Sequence, residues 1–202
     1  SFGVWSAVVV SSEKEADQLL VERVQRGDKK AFDLLVLKYQ NKVANLISRY
    51  IRDQSEVLDV TQEAFIKAYR ALPKFRGDSA FYTWLYRVAI NTAKNHLAAQ
   101  SRRPPGDDIE AETAEQMDLG TPLKETDTPE RLALQREIAQ TIQKALDELP
   151  DDLRTAITLR ELDGLTYDEI AQAMECPIGT VRSRIFRARE AIDARLKPLL
   201  VP

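Results

Sequence analysis

The stretch LTYDEIAQAMECPIGTVRSRIFRARE, residues 165–190, has the pattern of two short helices joined by a tight turn. Thr166 followed by Glu169 makes a capping box, which marks the start of a helix. Pro177 suits the first turn of the next helix, because the N–H that proline lacks is not needed there. Glu175 stands where such turns often have glycine, so a left-handed turn there costs roughly 1 kcal/mol. The stretch predicts a helix-turn-helix.

A helical wheel separates a core face and an outward face on the second of these helices. The core face holds Ile178, Val181, Ile185, Ala188, Ile192 and Leu196. The candidate base-reading residues on the other side are Thr180, Arg182, Ser183, Phe186 and Arg187. Arginine can bind guanine through two hydrogen bonds and phenylalanine can contact a thymine methyl group, so this face suits the major groove of DNA. Arg184 and Arg189 are better placed for a phosphate or an ion pair. The alternative, a solvated charged face, leaves Phe186 unexplained.

Positive charge is concentrated in two zones of a chain whose formal net charge is −3. Residues 38–104 hold 12 basic and 5 acidic groups, and residues 176–202 hold 6 and 2. Because local fields steer polyanions, an acidic total does not exclude a nucleic-acid partner. One cysteine and one histidine cannot form an internal disulfide or a Cys/His zinc site, and they favour a reducing, cytoplasmic compartment.

Apolar residues recur at helical spacing through most of the chain, and no segment shows the alternation of a strand. Helices are predicted over residues 31–50, 55–72, 81–99, 129–149, 151–162, 166–174 and 177–196. No apolar run reaches the ~18–20 residues that span a bilayer, so we expect no membrane insertion.

Residues 105–130 hold 9 acidic groups and 1 basic group, and prolines punctuate the segment, as is typical of a linker. The sequence therefore predicts an all-α fold of two small helical domains joined by a flexible acidic linker, with a helix-turn-helix at the C-terminus. The predicted division is an extension or expression remnant at 1–15, a first domain at 16–100, the linker at 101–129 and a second domain at 130–202.

The first basic zone contains FRGDSAFYTWLYRVAINTAKNHL, residues 75–97. Five aromatic residues lie close together there: Phe75, Phe81, Tyr82, Trp84 and Tyr86. Because a helix buries about half of its surface, we expect several of these rings to be exposed or half-exposed beside basic side chains, where unpaired bases can stack. In the preceding loop Gly77 supplies flexibility and Asp78 and Ser79 are helix-capping candidates, and the loop can shape a pocket for a flipped base. The alternative is that the rings pack in a small helical core.

These motifs, in this order, resemble the extracytoplasmic-function (group 4) sigma factors, in particular the sigma E envelope-stress type. The resemblance covers about residues 18–199. It is carried by VERVQRGDKKAFDLLVLKYQ, DVTQEAFIKAYRAL, FRGDSAFYTWLYR with NTAKN, LPDDLRTAITLRELDGLTYDEIA and CPIGTVRSRIFRAREAID. It implies an alternative sigma factor, not an enzyme, that binds core RNA polymerase and directs promoter-specific initiation by reading the −35 element and melting the −10 element.

The resemblance also implies roles for three sets of residues. DVTQEAF is similar to the contact with the clamp helices of the largest polymerase subunit, which assigns that contact to Asp59, Gln62 and Glu63. FRGDSAFYTW is similar to the −10 melting loop, which assigns the flipped-base pocket to Phe75, Arg76, Ser79 and Ala80, with Asn91 close by. PIGTVRSRIFRAR is similar to the −35 recognition helix, in which Arg182, Ser183, Phe186 and Arg187 match the DNA-contacting positions.

The partners implied are core RNA polymerase, through its clamp helices and flap, promoter DNA, and an anti-sigma factor that could hold the chain at the inner membrane. No cofactor, metal or small-molecule substrate is implied, and the location is cytoplasmic. One rival is a stand-alone helix-turn-helix regulator, which leaves the aromatic zone and the linker without a purpose. Another is a metal-dependent nuclease that uses acidic residues of the linker, but a proline-rich segment cannot pre-organise a metal site.

Overall fold

The computed structural model describes residues 2–102 and 128–200, with side chains described from residue 12 onward. The chain divides into two compact units, an N-terminal one and a C-terminal one. All regular secondary structure in the described ranges is helical, which confirms the predicted all-α fold. The linker predicted at 101–129 lies almost wholly outside the described residues.

The described part of the N-terminal unit contains four α-helices and one short 3₁₀ helix. In chain order these are α1 (Phe2–Gln25), α2 (Lys29–Ile47), α3 (Gln54–Ala71), the 3₁₀ helix Leu72–Lys74 and α4 (Phe81–Ser101). The predicted boundary at residue 15 falls inside α1, so the segment expected to be an extension continues directly into the domain. The other predicted domain boundaries stay predictions.

Aspartates begin two of these helices. The Asp28 carboxylate accepts a hydrogen bond from the Lys30 amide at the start of α2, and the Asp53 carboxylate accepts one from the Ser55 amide at the start of α3. These caps satisfy amides that the first turn of a helix leaves without a partner. Between the helices lies an apolar core, in which the largest fully buried side chains are Val21, Leu35, Val43, Ile47, Val60, Leu72, Leu85 and Ile90.

A buried carboxylate attaches α1 to α2. The Asp17 side chain is only 1% exposed and lies 2.6 Å from the Lys38 ammonium. The Tyr39 hydroxyl also donates to it, and burial together with this contact raises the pKa of Tyr39 far above its usual range. A buried charge without a partner is strongly destabilising, so this pairing holds α1 in place on the domain.

The described part of the C-terminal unit contains α5 (Pro129–Glu148), α6 (Asp151–Glu161), the first five residues of α7 (Tyr167–Met174) and α8 (Ile178–Leu200). Both α5 and α6 pack against α8. The core between them includes Leu159, Ile170, Val181 and Ile185, each at most 1% exposed. Six of the seven predicted helices agree with the observed ones to within three residues at each end. The seventh, α8, runs four residues beyond its predicted end.

Arg154 closes the end of α5. Its guanidinium is on α6, and it donates to the backbone carbonyl oxygens of Leu146 at 2.7 Å and Leu149 at 2.6 Å. The carbonyl oxygen of Asp147 accepts a third hydrogen bond at 2.7 Å. The last carbonyls of a helix have no partner within the helix. A planar guanidinium with five N–H groups can satisfy several at once, which joins α5 to α6.

Candidate nucleic-acid interface

The helix-turn-helix forms as its sequence predicts. The Thr166 amide donates to the Glu169 carboxylate at 3.1 Å, and the Glu169 amide donates to the Thr166 hydroxyl at 3.2 Å. This is the reciprocal capping box, and it starts α7. Glu175 adopts the left-handed conformation with φ 53°, the only non-glycine residue of the described chain to do so. The turn therefore has the expected shape, although it has Glu175 where glycine would adopt the left-handed conformation more easily.

The outward face of α8 is also confirmed. Val181, Ile185 and Ala188 are at most 1% exposed and face the core. Phe186 is 62% exposed, a large apolar ring in contact with solvent. Of the other candidate base readers, Thr180 is half-buried and Arg182, Ser183 and Arg187 are exposed. The five residues thus lie together on or beside one accessible surface.

The four arginines of α8 nearest this face differ in their partners. Arg184 lies 3.5 Å from the Asp152 carboxylate and also donates to the Cys176 sulfur. Arg189 lies 2.7 Å from the Glu161 carboxylate, and that hydrogen bond raises the pKa of the guanidinium. Arg182 and Arg187 form no ion pair or side-chain hydrogen bond with the described residues. Two arginines are therefore engaged within the unit, and two remain available to an anion or a base.

In the N-terminal unit the candidate pocket is the loop between the 3₁₀ helix and α4. Phe75 is half-buried, with its ring centroid 5.1 Å from that of Trp84. Arg76 is exposed, Gly77 has φ +79°, and Ser79 is half-buried. Ala80 is the N-cap of α4 and makes no side-chain capping bond. The expectation that Asp78 or Ser79 caps the helix is therefore wrong, since the loop enters α4 one residue later than a serine cap requires.

The expectation of several exposed or half-exposed aromatic rings holds only for Phe75 and Tyr82, and the other three rings are buried. Phe81 is 3% exposed, Tyr86 2% and Trp84 9%. Tyr39 of α2 contacts both Phe81 and Tyr86 edge to face, with centroids 5.8 and 6.5 Å apart. Tyr82, like Phe75, is half-buried. The rings pack on one another and on α2, so the first half of α4 is buried on more than one face. They form a rigid base under the loop and not an open stacking platform.

Asn91 lies on α4, beyond the loop that holds the other four predicted −10 residues. Eleven residues separate it from Ala80, which is about 16 Å along the helix axis. Both residues are half-buried and lie on the same stripe of α4, because eleven residues complete close to three turns. The structure therefore groups Phe75, Arg76, Ser79 and Ala80 in one loop and places Asn91 on the same stripe beyond it. A nucleic-acid strand that contacts both would have to run along α4.

Asp59, Gln62 and Glu63 are all exposed on α3, and Glu63 lies 3.2 Å from the Lys67 ammonium. Three exposed apolar residues that the sequence analysis missed lie among them: Leu58 at 66%, Ile66 at 46% and Tyr69 at 37%. The signal was available, because these residues fall outside the stripe of Val57, Val60, Ala64 and Ala68 that faces the core. A surface of mixed acidic, amide and apolar groups is typical of a protein–protein contact.

Neither a metal site nor a membrane span is found among the described residues. In the described ranges no three His, Cys, Asp or Glu side chains lie close enough together to hold a metal ion. Within residues 2–102 and 128–200, no helix has both the length and the apolar character needed to cross a bilayer. His96, the single histidine of the chain, lies 3.7 Å from Glu56 between α3 and α4.

Comparison with known proteins gives matches over both units. Residues 35–103 match the family described as Sigma-70 region 2, and residues 139–192 match Sigma-70, region 4. The RNA polymerase sigma-H factor of Pseudomonas aeruginosa is 65% identical over 187 residues, which cover 93% of this chain and 97% of the relative. The ECF RNA polymerase sigma-E factor of Escherichia coli K12 is 64% identical over 189 residues, which cover 94% and 98%.

A solved structure shares the fold at lower identity. It is the sigma factor RpoE in complex with the anti-sigma factor NepR from Bartonella quintana, which is 23% identical to this chain. The alignment covers 83% of this chain and 98% of that one, with a TM-score of 0.60. The predicted polymerase and −10 residues lie within the region 2 match, and the predicted −35 residues lie within the region 4 match.

Proposed function

Because the chain belongs to the sigma-70 family, as an extracytoplasmic-function sigma factor of the sigma-E and sigma-H type, we propose that it binds core RNA polymerase and directs promoter-specific transcription initiation. It is an alternative sigma factor and not an enzyme, so its contribution to DNA opening is binding free energy, and RNA synthesis belongs to the polymerase. Its C-terminal unit reads the −35 element, and its N-terminal unit captures the opened −10 element.

The observation that carries this proposal is the outward face of α8. Arg182 and Arg187 have no partner among the described residues, and they lie on the same face as the exposed ring of Phe186. In the major groove a guanidinium can bind guanine through two parallel hydrogen bonds, while a ring can contact a thymine methyl group. Ser183 and Thr180 supply short polar contacts, to a base edge or to a phosphate. Arg184 and Arg189 orient the helix through their ion pairs.

For the −10 element we propose that a base leaves the stack and enters the loop of Phe75, Arg76, Ser79 and Ala80. Phe75 offers a half-buried ring with the Trp84 ring beneath it, and the exposed Arg76 can follow the phosphate backbone. A flipped base is held by stacking and by hydrogen bonds to its edge. The buried rings of α4 act here as the floor of the pocket, and Asn91 contacts a nucleotide further along the strand.

For the polymerase we propose that α3 binds the clamp helices of the largest subunit. Asp59, Gln62 and Glu63 provide the polar contacts, and the exposed Leu58 and Ile66 provide the apolar centre. Such a surface has the mixed composition of a protein interface, in which apolar anchors are surrounded by polar groups. The flap of the polymerase is the proposed contact of the C-terminal unit.

We further propose that an anti-sigma factor controls the chain in the cytoplasm by covering its polymerase-binding surfaces, in a response to envelope stress. Support comes from relatives named as sigma-E factors and from a neighbour in fold that was solved with an anti-sigma factor bound. Co-purification of the chain with a membrane protein that is released on envelope stress would test this regulation.

One binding experiment separates this function from that of a stand-alone helix-turn-helix regulator. Duplex promoter DNA is titrated with the chain alone and then with the chain bound to core polymerase. A sigma factor should bind the promoter tightly and specifically only with core polymerase present. Equally tight and specific binding by the chain alone would favour the regulator and contradict the proposal.

A further inference from the structure

The C-terminal end of α1 is tied to the candidate −10 loop by one side chain. The Gln25 amide nitrogen donates to the Leu72 carbonyl oxygen at 3.0 Å and to the Phe75 carbonyl oxygen at 2.9 Å. Those two carbonyls lie at the first residue of the 3₁₀ helix and at the first residue of the loop. A single amide group thus fixes the backbone on both sides of the turn that leads into the loop.

Beyond this tether the loop is weakly held. The Phe75 amide donates to the Leu72 carbonyl oxygen at 3.0 Å, but the side chains of Arg76, Asp78 and Ser79 form no hydrogen bond with the described residues. Gly77 has φ +79°, which favours glycine, and a Cβ there would meet only the Gln18 side chain, at 3.8 Å. The path of the loop therefore depends on how its first residues are fixed.

The helix that carries Gln25 is itself firmly placed. Asp17 is buried against Lys38 and Tyr39 of α2, and Val21 is fully buried. At the end of the helix, Arg23 lies 2.7 Å from the Asp28 carboxylate. Gln25 thus projects from a fixed support, and its amide can hold the loop in one geometry.

We propose that Gln25 is a positioning residue for capture of the −10 element. It holds the backbone at Phe75 so that the Phe75 ring and the Arg76 side chain face the incoming base before DNA binds. Pre-organisation of a binding loop raises affinity because less ordering remains to be done on binding. The inference rests on the proposed function, in which this loop captures the opened −10 element, and it gives α1 a part in promoter opening.

The test compares two variants with a control in the full chain. Gln25→Ala removes the side chain, and Gln25→Glu keeps its size but loses the amide donor, so its carboxylate faces two carbonyl oxygens. Gln40→Ala removes an exposed glutamine from the neighbouring helix α2 and serves as the control. Hydrogen exchange by mass spectrometry reports the loop peptide, residues 73–80, without DNA. In holoenzyme, a fluorescent adenine analogue in the −10 element reports strand opening on a promoter that the wild-type chain transcribes.

Both Gln25 variants should speed exchange in residues 73–80. They should slow open-complex formation by roughly threefold to thirtyfold, as expected for the loss of one or two neutral hydrogen bonds. Core affinity, −35 duplex binding and melting temperature should stay at the wild-type values, and Gln40→Ala should match wild type throughout. A destabilised domain would instead lower the melting temperature and core affinity as well.

Phe75→Ala, measured in parallel, separates the two ways in which the inference can fail. If Phe75→Ala slows opening while both Gln25 variants match wild type in opening or in exchange, the loop is the −10 site and the positioning role is wrong. If Phe75→Ala leaves opening unchanged, the loop is not the −10 site, and the inference falls together with that part of the proposed function.

Discussion

At the scale of single residues, the proposed DNA reading by α8 depends on which of its arginines are already paired within the unit. Arg184 and Arg189 pair with Asp152 and Glu161 of α6, whereas Arg182 and Arg187 have no partner in the described part of the chain. The sequence predicts a phosphate or an ion pair for Arg184 and Arg189, and the structure shows which carboxylates they pair with. An arginine that already forms an ion pair gains less binding free energy from a base edge or a phosphate. The ion pairs therefore distinguish the arginines proposed to orient α8 from those proposed to read DNA.

Arg187→Ala should reduce discrimination between −35 sequences by about 1–3 kcal/mol, because a bidentate contact with a base is lost. The measurement is binding of the holoenzyme to promoters with substituted −35 positions. Arg189→Ala is the matched control on the same helix and should leave the order of preference unchanged, since that arginine pairs with Glu161. An equal loss on all promoter sequences would show that Arg187 contacts only phosphate.

Asp53 gives a prediction for pH. Hydrogen bonds from the Ser55 hydroxyl and amide, at 2.8 and 2.9 Å, hold the pKa of its carboxyl below the usual value. Because the pKa of Asp53 is lower in the folded state, its ionised carboxylate stabilises the folded protein fully at pH values above the unfolded-state pKa of about 3.9. This contribution to stability is lost as the pH falls through the folded-state pKa. An asparagine at this position can still cap the helix, but its side chain has no ionisable group.

The melting temperature of wild type relative to Asp53→Asn should therefore fall as pH drops below about 4. Circular dichroism melts at several pH values would measure the difference. A difference that does not change with pH would mean that the ionised carboxylate contributes nothing to the start of α3. Lys30→Ala, at the start of another helix, should keep a constant difference from wild type.

At the scale of elements, local sequence signals predicted where the helices begin and end, because caps act within one turn. The capping box at Thr166 and the left-handed turn at Glu175 both formed as expected. The cap expected at Asp78 or Ser79 did not form, because Ala80 occupies the N-cap position of that helix and has no polar side chain. A pair of neighbouring capping candidates therefore does not by itself fix the first residue of a helix.

Burial of the aromatic zone was mispredicted for a related reason. A single-helix wheel cannot show that Tyr39 of α2 packs on Phe81 and Tyr86 and encloses them. The opposite error concerns Leu58 and Ile66, which are exposed although the sequence analysis did not single them out as surface residues. A helical wheel of α3 already puts them outside the stripe of Val57, Val60, Ala64 and Ala68, so the sequence contained a signal that was not used. The sequence shows that a helix has apolar residues on two faces, but it does not show which of these faces packs against a neighbouring helix.

Arg154→Ala should lower the stability of the C-terminal unit by about 2–3 kcal/mol, because three carbonyl oxygens at the end of α5 lose a charged donor. A thermal melt should show this as a fall of several degrees. Arg154→Lys should restore only part, since an ammonium lacks the planar fork. Arg136→Ala, at an exposed position on α5, is the control. A melting temperature unchanged in Arg154→Ala would rule out this role.

At the scale of the whole molecule, the proposed surfaces lie in two separate units. The α3 surface and the −10 loop belong to the N-terminal unit, and the recognition face of α8 belongs to the C-terminal unit. Because the proposed surfaces share no residue, the effects of mutations in them on the free energy of promoter binding should add. Loss of one surface should therefore leave the function of the other measurable.

Gln62→Ala combined with Glu63→Ala should weaken binding to core polymerase by roughly tenfold, the size expected when interface contacts of about 1–2 kcal/mol are removed. Fluorescence anisotropy of the labelled chain would measure the affinity. The control is Gln135→Ala with Glu137→Ala on α5, which removes the same two residue types from exposed positions in the other unit. Unaltered affinity in the α3 variant would move the polymerase contact to another surface.

The central claim is that core polymerase recognises the −35 and −10 promoter elements when this chain is bound to it. Run-off transcription with core polymerase and the chain, on a library randomised at both elements, tests it most directly. The transcripts should come from templates enriched for one −35 and one −10 sequence, and Arg187→Ala should relax preference at the −35 element while the −10 preference persists. Transcription without preference at either element, or no transcription above that of core polymerase alone, would contradict the claim.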